Sequence, residues 1–145
     1  MAIEFRIATE ADLADIIALT NECFDEHTPL EYAQKIWAEN ADDPRQIYLN
    51  GYLDGELVAH VKITIIPTIY EDMNTFAILN HVCVKPSARR QHLGTQLLDE
   101  VVRICRERGV KTIELWSKNF RIPAHALYHK YGFEVMDAKF FEKDI

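Results

Sequence analysis

The sequence predicts one α+β domain. Three observations lead there. At 145 residues the chain has the length of a single domain, which clusters at roughly 100–150 residues. Strand-like and helix-like apolar periods follow one another along it, with no repeat, linker or low-complexity stretch between them. And two strand-like runs flank Asp54-Gly55, a short turn that folds a chain back on itself as a hairpin.

Each element has its own reason. Residues 3–8, IEFRIA, read as a first strand. Thr9 is a credible N-cap, and Glu10 and Asp12 lie in the first turn, where the helix dipole favours anions. Leu13, Ile16, Ile17, Thr20 and Phe24 recur at spacings of three and four, so 10–24 form an amphipathic helix. A second helix covers 30–39 after Pro29, with Tyr32, Ile36 and Trp37 as its apolar positions. IYLNGYL and ELVAHVKITII are the hairpin strands, and 67–74 is a polar connection. FAILNHVCV at 76–84 is too apolar for one face to meet water, so it is central and covered on both sides.

Lys85-Pro86 ends that strand, and a helix follows over 92–108. Its buried face is Leu93, Leu97, Leu98, Val101, Val102 and Cys105, and Gly109 stops it. KTIELWS at 111–117 is a strand; 123–131 is a helix with Pro123 at its first position and Gly132 as its stop. FEVM and AKFFEKD, 133–136 and 138–144, read as two closing strands. The order is β-α-α-β-β-β-α-β-α-β-β.

The bulk numbers exclude several classes. With 48% hydrophobic and 27% charged residues the chain is an ordinary globular one. No apolar run approaches the roughly 20 residues needed to span a bilayer, so no membrane association is expected. MAIEFRIATEADL has no basic segment followed by an apolar one, and a cytoplasmic location is expected. Cys23, Cys83 and Cys105 are odd in number, distant in sequence and lack C-x-x-C, which argues for reduced thiols and against zinc. The net charge of −7 lacks the basic balance of a nucleic-acid binder and tolerates a cationic partner such as an amine.

The stretch that carries chemistry is VCVKPSARRQHLGTQLL, 82–98. A buried strand runs through a turn straight into a helix. Helix N-termini leave four N–H groups unpaired and carry about half a positive charge, so such a junction binds phosphates. Arg89 and Arg90 stand at its mouth, where guanidinium groups reach phosphate oxygens, and Gly94 permits close backbone approach. His125 and His129 lie four apart on one helix, but Ala126 stands where H-E-x-x-H has glutamate, and no metal is expected.

Arg89-Arg90-Gln91-His92-Leu93-Gly94 resembles the [RQ]-x-x-G-x-[GA] pyrophosphate loop of the GNAT acetyltransferases. His92 occupies the place of the first glycine; it fits if it keeps helical dihedrals and points to solvent. Ala124-His125-Ala126-Leu127-Tyr128 with Gly132-Phe133 resembles the family's A-x-x-[LF]-Y-x-x-x-G-[FY] motif, and R-I-A-T-E-A-D its opening. Arg121 stands where many members have asparagine, as in a subgroup carrying R-x-x-A-H.

The resemblance implies a GNAT-like fold with a mixed, mostly antiparallel central sheet, and acetyl-CoA as co-substrate. It puts Val82, Cys83, Val84, Arg89, Arg90, Gln91, His92, Leu93, Gly94, Thr95 and Arg121 at the cofactor. Val82 and Val84 would lend their backbone to the pantetheine arm, while Cys83 packs rather than reacts. Tyr128 becomes the general acid that protonates the coenzyme A thiolate. Asn80 stands where many relatives have a glutamate base, which leaves His81, Glu114, Glu71 and Asp72 as candidates; strand alternation sets His81 on the face opposite Asn80. Asn80, Glu71, Asp72 and Tyr32 are candidates for the acceptor site, built by 25–45 and 66–75, with Trp37, Tyr70 and Trp116 as further aromatics. The expected function is N-acetyl transfer to a small-molecule or peptide amine, with homodimerisation common among such domains. The competing expectation is a non-catalytic acyl-CoA-binding regulatory module.

Overall fold

The structure, a computed structural model, describes residues 2–145. Its elements are β1 (Glu4–Ile7), α1 (Leu13–Phe24), α2 (Leu30–Asn40), β2 (Gln46–Leu53), β3 (Glu56–Ile66), β4 (Phe76–Val84), α3 (Leu93–Glu107), β5 (Thr112–Glu114) and α4 (Ile122–Tyr131). Short 3-10 turns precede α1 at Glu10–Asp12 and α3 at Pro86–Ala88. The chain forms two compact units, one of the residues up to Leu115 and one of Trp116–Ile145.

The first unit is a five-stranded sheet in the order β1-β2-β3-β4-β5. The first three pairings are antiparallel and β4 with β5 is parallel. Asp54 and Gly55 both take positive φ, 50° and 80°, which is what a tight hairpin turn needs to match strand twist. Gly51 on β2 has a different reason to be glycine. A Cβ there would come within 2.7 Å of the Ile3 Cδ1 and 3.2 Å of the Ala59 Cβ.

Two helical layers cover the sheet. The Asp12 carboxylate accepts from the Thr9 backbone N–H at 2.8 Å, closing the entry to α1. Leu13, Ile16, Leu19 and Thr20 are the buried stripe of α1, and the Thr20 hydroxyl donates back to the Ile16 carbonyl at 3.1 Å. On α3 the buried stripe is Leu93, Leu97, Leu98, Val101, Ile104 and Cys105, with Ile104 rather than Val102 facing in. Ala59, Val61 and Ile63 on β3 have no exposed surface at all, so β3 is the central strand of the core together with β4. Leu97 is equally sealed; truncating such a leucine to alanine costs about 2–5 kcal/mol.

Two expectations fail at the C-terminal end. The strand expected over 111–117 is confined to Thr112–Glu114, and neither 133–136 nor 138–144 forms a strand. Val135, Met136, Phe140 and Phe141 are exposed instead. β-propensity is a property of the local sequence, whereas a strand needs a neighbouring edge to pair with. The second unit is built on α4, capped by Gly132, with Phe133 edge-on to Tyr128 and Trp116 stacked on Phe140.

Candidate active site

The site grows from a defect in β4. Its first residues pair regularly with β3, Ala77 opposite Ile65 and Leu79 opposite Ile63. Beyond Asn80, opposite Lys62, the register slips, and pairing resumes with Cys83 opposite His60 and Val84 opposite Ala59. His81 and Val82 together therefore oppose the single residue Val61, which is a β-bulge. His81 takes the left-handed conformation, φ 53°. Directly opposed residues share a face, so Cys83 lies on the other face from Leu79 despite even spacing. There it joins Ile16, Leu19, Tyr52 and Leu57 in the core under α1.

This bulge corrects the expectation that His81 and Asn80 point to opposite faces. Simple alternation does not hold across it. The His81 Nε2 lies 2.9 Å from the Glu26 carboxylate, and its ring meets Phe24, the last residue of α1, edge-on at 4.8 Å. Phe24 packs on the same core cluster as Cys83. His81 thus reaches the α1 side, the side of Asn80. Glu26 was missed in the sequence because nothing local links residue 26 to residue 81.

The other edge of β4 is open where the chemistry is expected. β5 pairs with β4 only at Phe76, Ala77 and Ile78. From Leu79 to Val84 no strand of the described residues flanks β4 on that side, and its backbone there can accept an extended ligand as an added strand would. Val82 and Val84 are half-buried on this stretch. The Val84 carbonyl accepts from the Arg89 Nε at 3.1 Å and from the Cys23 thiol at 3.6 Å. Arg89 is thereby held at the strand's end.

The turn into α3 follows. Ala88 and Leu93 are buried with Val58 and anchor the turn to the sheet. Arg89 and Arg90 are exposed, and the Gln91 side chain donates to the Ala88 carbonyl at 3.2 Å. Arg90 and His92 both have positive φ, 68° and 60°. His92 is the N-cap of α3 and makes no side-chain cap bond. Of the two conditions set for His92, exposure to solvent is met and helical dihedrals are not, and the reason is geometric: the chain must reverse between Arg89 and Leu93 so that α3 starts pointing back along the sheet. The first N–H groups of α3, at Leu93, Gly94 and Thr95, have no intrahelical partner and no cap side chain over them. They are available to an anionic group, with two guanidinium groups alongside.

A polar chain runs beneath the site. The buried His60 Nδ1 lies 2.7 Å from the Asn50 Oδ1, Asn50 donates to the Tyr52 hydroxyl at 3.1 Å, and Tyr52 in turn donates to Asp12 at 3.4 Å. Burial, with a smaller contribution from the charge of His81, lowers the His60 pKa to about 3. His60 is neutral at physiological pH.

The remaining candidates fall in different places. Tyr32 on α2, and Glu71 and Asp72 in the 67–75 connection, are exposed; Trp37 packs against Tyr48 at 5.5 Å and belongs to the core. Glu114 ends β5 opposite Ile78. Arg121 and Tyr128 belong to the second unit, Arg121 as the N-cap of α4 with its guanidinium 5.2 Å from the Phe120 ring centre, and Tyr128 half-buried on α4. No group of three or more His, Cys, Asp or Glu placed to hold a metal occurs among the described residues, and no helix among them is long and apolar enough to cross a membrane.

Residues 13–133 match the family described as Acetyltransferase (GNAT) family. The chain belongs to this family. A Bacillus subtilis (strain 168) protein assigned as a ribosomal protein bS18-alanine N-acetyltransferase is 30% identical over 96 residues, 66% of this chain and 59% of that protein. The chain therefore spans less than two thirds of that relative's length. The aminoalkylphosphonate N-acetyltransferase of Salmonella typhimurium (strain LT2) is 26% identical over 137 residues, 94% of this chain and 88% of that one. Among solved structures, a transcriptional regulator from Bacillus halodurans C-125 superposes with a TM-score of 0.88 at 22% identity, over 99% of this chain and all of that one. A predicted acetyltransferase from Clostridium acetobutylicum, solved with acetyl-CoA, gives 0.77 at 19% identity, over 99% and 96%. These likenesses carry the fold: α+β, a five-stranded mixed sheet flanked by helices.

Proposed function

We propose that this chain is an acetyl-CoA-dependent N-acetyltransferase that moves acetyl to a primary amine by direct attack in a ternary complex. The observation that carries the reading is the open edge of β4 leading into an uncapped helix N-terminus. An extended pantetheine chain needs strand backbone, and a pyrophosphate needs converging N–H groups and cations; both occur in sequence over 79–95. Val82 and Val84 hold the arm. Leu93, Gly94 and Thr95, through their backbone N–H groups, hold the pyrophosphate with Arg89 and Arg90, and Gln91 and His92 shape the turn between them. Arg121 is assigned to the cofactor by its place in the motif.

Bound acetyl-CoA supplies an acetyl group activated as a thioester. Tyr128 donates its phenolic proton to the departing thiolate, a contribution of about 10²-fold or more for one positioned acid. Asn80 carries no basic group and so orients the amine or a water. The acceptor is a small-molecule or peptide amine; the names of the two relatives support an amine and differ on which. Residues 1–145 act as one domain, in the cytoplasm, and a homodimer is included in the reading.

The test is thiol release from acetyl-CoA with a panel of amines (an aminoalkylphosphonate, an N-terminal alanine peptide, an aminoglycoside and a polyamine), beside a calorimetric titration of the cofactor. Turnover on at least one amine is expected. Tight binding without turnover on any would favour the acyl-CoA-binding module, and absence of binding would end both readings.

A further inference from the structure

Cys23 is the penultimate residue of α1, next to Phe24, and Cys83 sits on β4 after the bulge. They are 60 residues apart in the chain, yet Cys23 packs against the buried cluster that contains Cys83, and its Sγ lies 3.6 Å from the carbonyl of Val84, the residue after Cys83. The bulge is what brings them together. Without the extra residue, Cys83 would share the face of Leu79 and point away from α1; with it, Cys83 enters the cluster against which Cys23 packs. All three cysteines of the chain are free thiols.

The members of the pair are unequal. Cys83 is buried and Cys23 only half-buried, so a small oxidant meets Cys23 first. The Cys23 pKa is lowered, chiefly by the hydrogen bond from Cys83 and further by the nearby Arg89 charge, against the effect of its own burial. Cys83 is raised, by serving as donor in that hydrogen bond and by burial. The two thiols are shifted in opposite directions, and the more accessible one is the one whose pKa is lowered, which favours its reaction with oxidants. Cys105 is buried on α3, and burial pushes its pKa up to about 11. It stands outside the pair as an internal control.

We propose that Cys23 and Cys83 form a reversible disulfide in response to hydroperoxides, and that the bridge closes the cofactor strand. The Cys23 sulfur attacks one peroxide oxygen: an S–O bond forms, the O–O bond breaks, and the departing hydroxide takes a proton to become water. Cys83 then attacks the sulfenic sulfur. The S–S bond forms, the S–O bond breaks, and the released hydroxide leaves as water with the Cys83 proton. Two thiols lose two electrons in all, and one hydroperoxide is reduced. Drawing the two sulfurs together to a bond of about 2.05 Å would pull Cys83, and with it Val82 and Val84, toward α1. It also removes the Cys23 S–H that donates to the Val84 carbonyl. The consequence for cofactor binding rests on the function proposed above; the thiol chemistry does not.

The experiment oxidises the whole protein with hydrogen peroxide, alkylates the remaining thiols, and maps peptides by mass spectrometry. The expected result is a linked Cys23–Cys83 peptide with Cys105 alkylated, undone by dithiothreitol. In Cys83→Ser, Cys23 is trapped as a sulfenic acid by dimedone, and circular dichroism checks that this variant is folded. Calorimetry then compares oxidised and re-reduced wild type, with acetyl-CoA bound at least about tenfold more weakly by the oxidised form, or about 1.4 kcal/mol. Three alkylated thiols after peroxide, or Cys23 overoxidised beside a free Cys83, overturn the disulfide. A bridged protein with unchanged affinity overturns its effect on the strand. If the reduced protein binds no acetyl-CoA, the effect on the strand falls together with the proposed function, and the peptide map alone decides the thiol chemistry.

Discussion

The turn before α3 gives a sharp test, because the sign of a stability change depends on one dihedral angle. His92 has φ 60° and ψ 20° at the N-cap of α3. A residue with a Cβ held in the left-handed region costs about 1 kcal/mol or more, a cost that glycine avoids. In a helical conformation the order reverses, with alanine about 1 kcal/mol better than glycine. Comparing His92→Gly with His92→Ala cancels the loss of the imidazole, since both variants lack it. The structure therefore predicts that the glycine variant is the more stable by about 0.5–1 kcal/mol, the left-handed cost less the extra unfolded-state freedom of glycine. For a chain of this length that is a difference of about 1–4 °C in melting midpoint. Urea titration at fixed ionic strength gives the same comparison at constant temperature, with equal m-values required so that only stability has changed. An alanine variant as stable as the glycine variant, or more so, would refute the left-handed assignment and restore a helical His92. The pair also bears on function: glycine exposes the N–H groups of Leu93 and Gly94, so acetyl-CoA binding to His92→Gly is expected to equal or exceed wild type.

Three further outcomes follow from the geometry. Tyr128→Phe is expected to lower kcat by about 10²-fold while the cofactor dissociation constant stays within twofold; wild-type turnover would remove the acid role. Arg89→Ala is expected to show the opposite split, weakening cofactor binding about tenfold, the worth of one charge-assisted contact, and to reduce the salt sensitivity of that binding. The third concerns pH. The folded His60 pKa of about 3 lies below its ordinary 6.5, so protons bind preferentially to the unfolded chain. His60 thus contributes stability that is complete above pH 6.5 and is lost as pH falls from there toward 3. The slope is at most about 1.4 kcal/mol per pH unit for one proton, or about 2.7 kcal/mol between pH 6.5 and 4.5. Denaturant titrations across that range should steepen in wild type and flatten in His60→Gln, and equal slopes would show that His60 does not govern the window.

Local signals in the sequence were enough for the elements that depend on local chemistry. The Asp54-Gly55 turn, the apolar stripe of α3 and the Pro and Gly that bound α4 each follow from a conformation the residue itself prefers. What was illegible depends on partners distant in the chain. The strand-like residues of 133–144 have the right composition and no ladder, because composition does not supply an edge.

The bulge in β4 is the more instructive case. Its residues, His81 and Val82, have nothing of a bulge's usual glycine, and only the slip against β3 discloses it. Yet that one extra residue decides most of the site's chemistry. It sends His81 to Glu26 and Cys83 to Cys23, and it leaves Val84 opposite Ala59 with its carbonyl turned to Arg89. A parity rule applied to 76–84 therefore assigns the first half of the strand correctly and reverses the second. His92, in the place of a glycine, and His81 are the same kind of feature: each is a left-handed histidine that bends the chain, one within the open stretch of β4 and the other at the start of α3. The site is formed where regular pairing stops, and for that reason regular periodicity could point to its location and not to its shape.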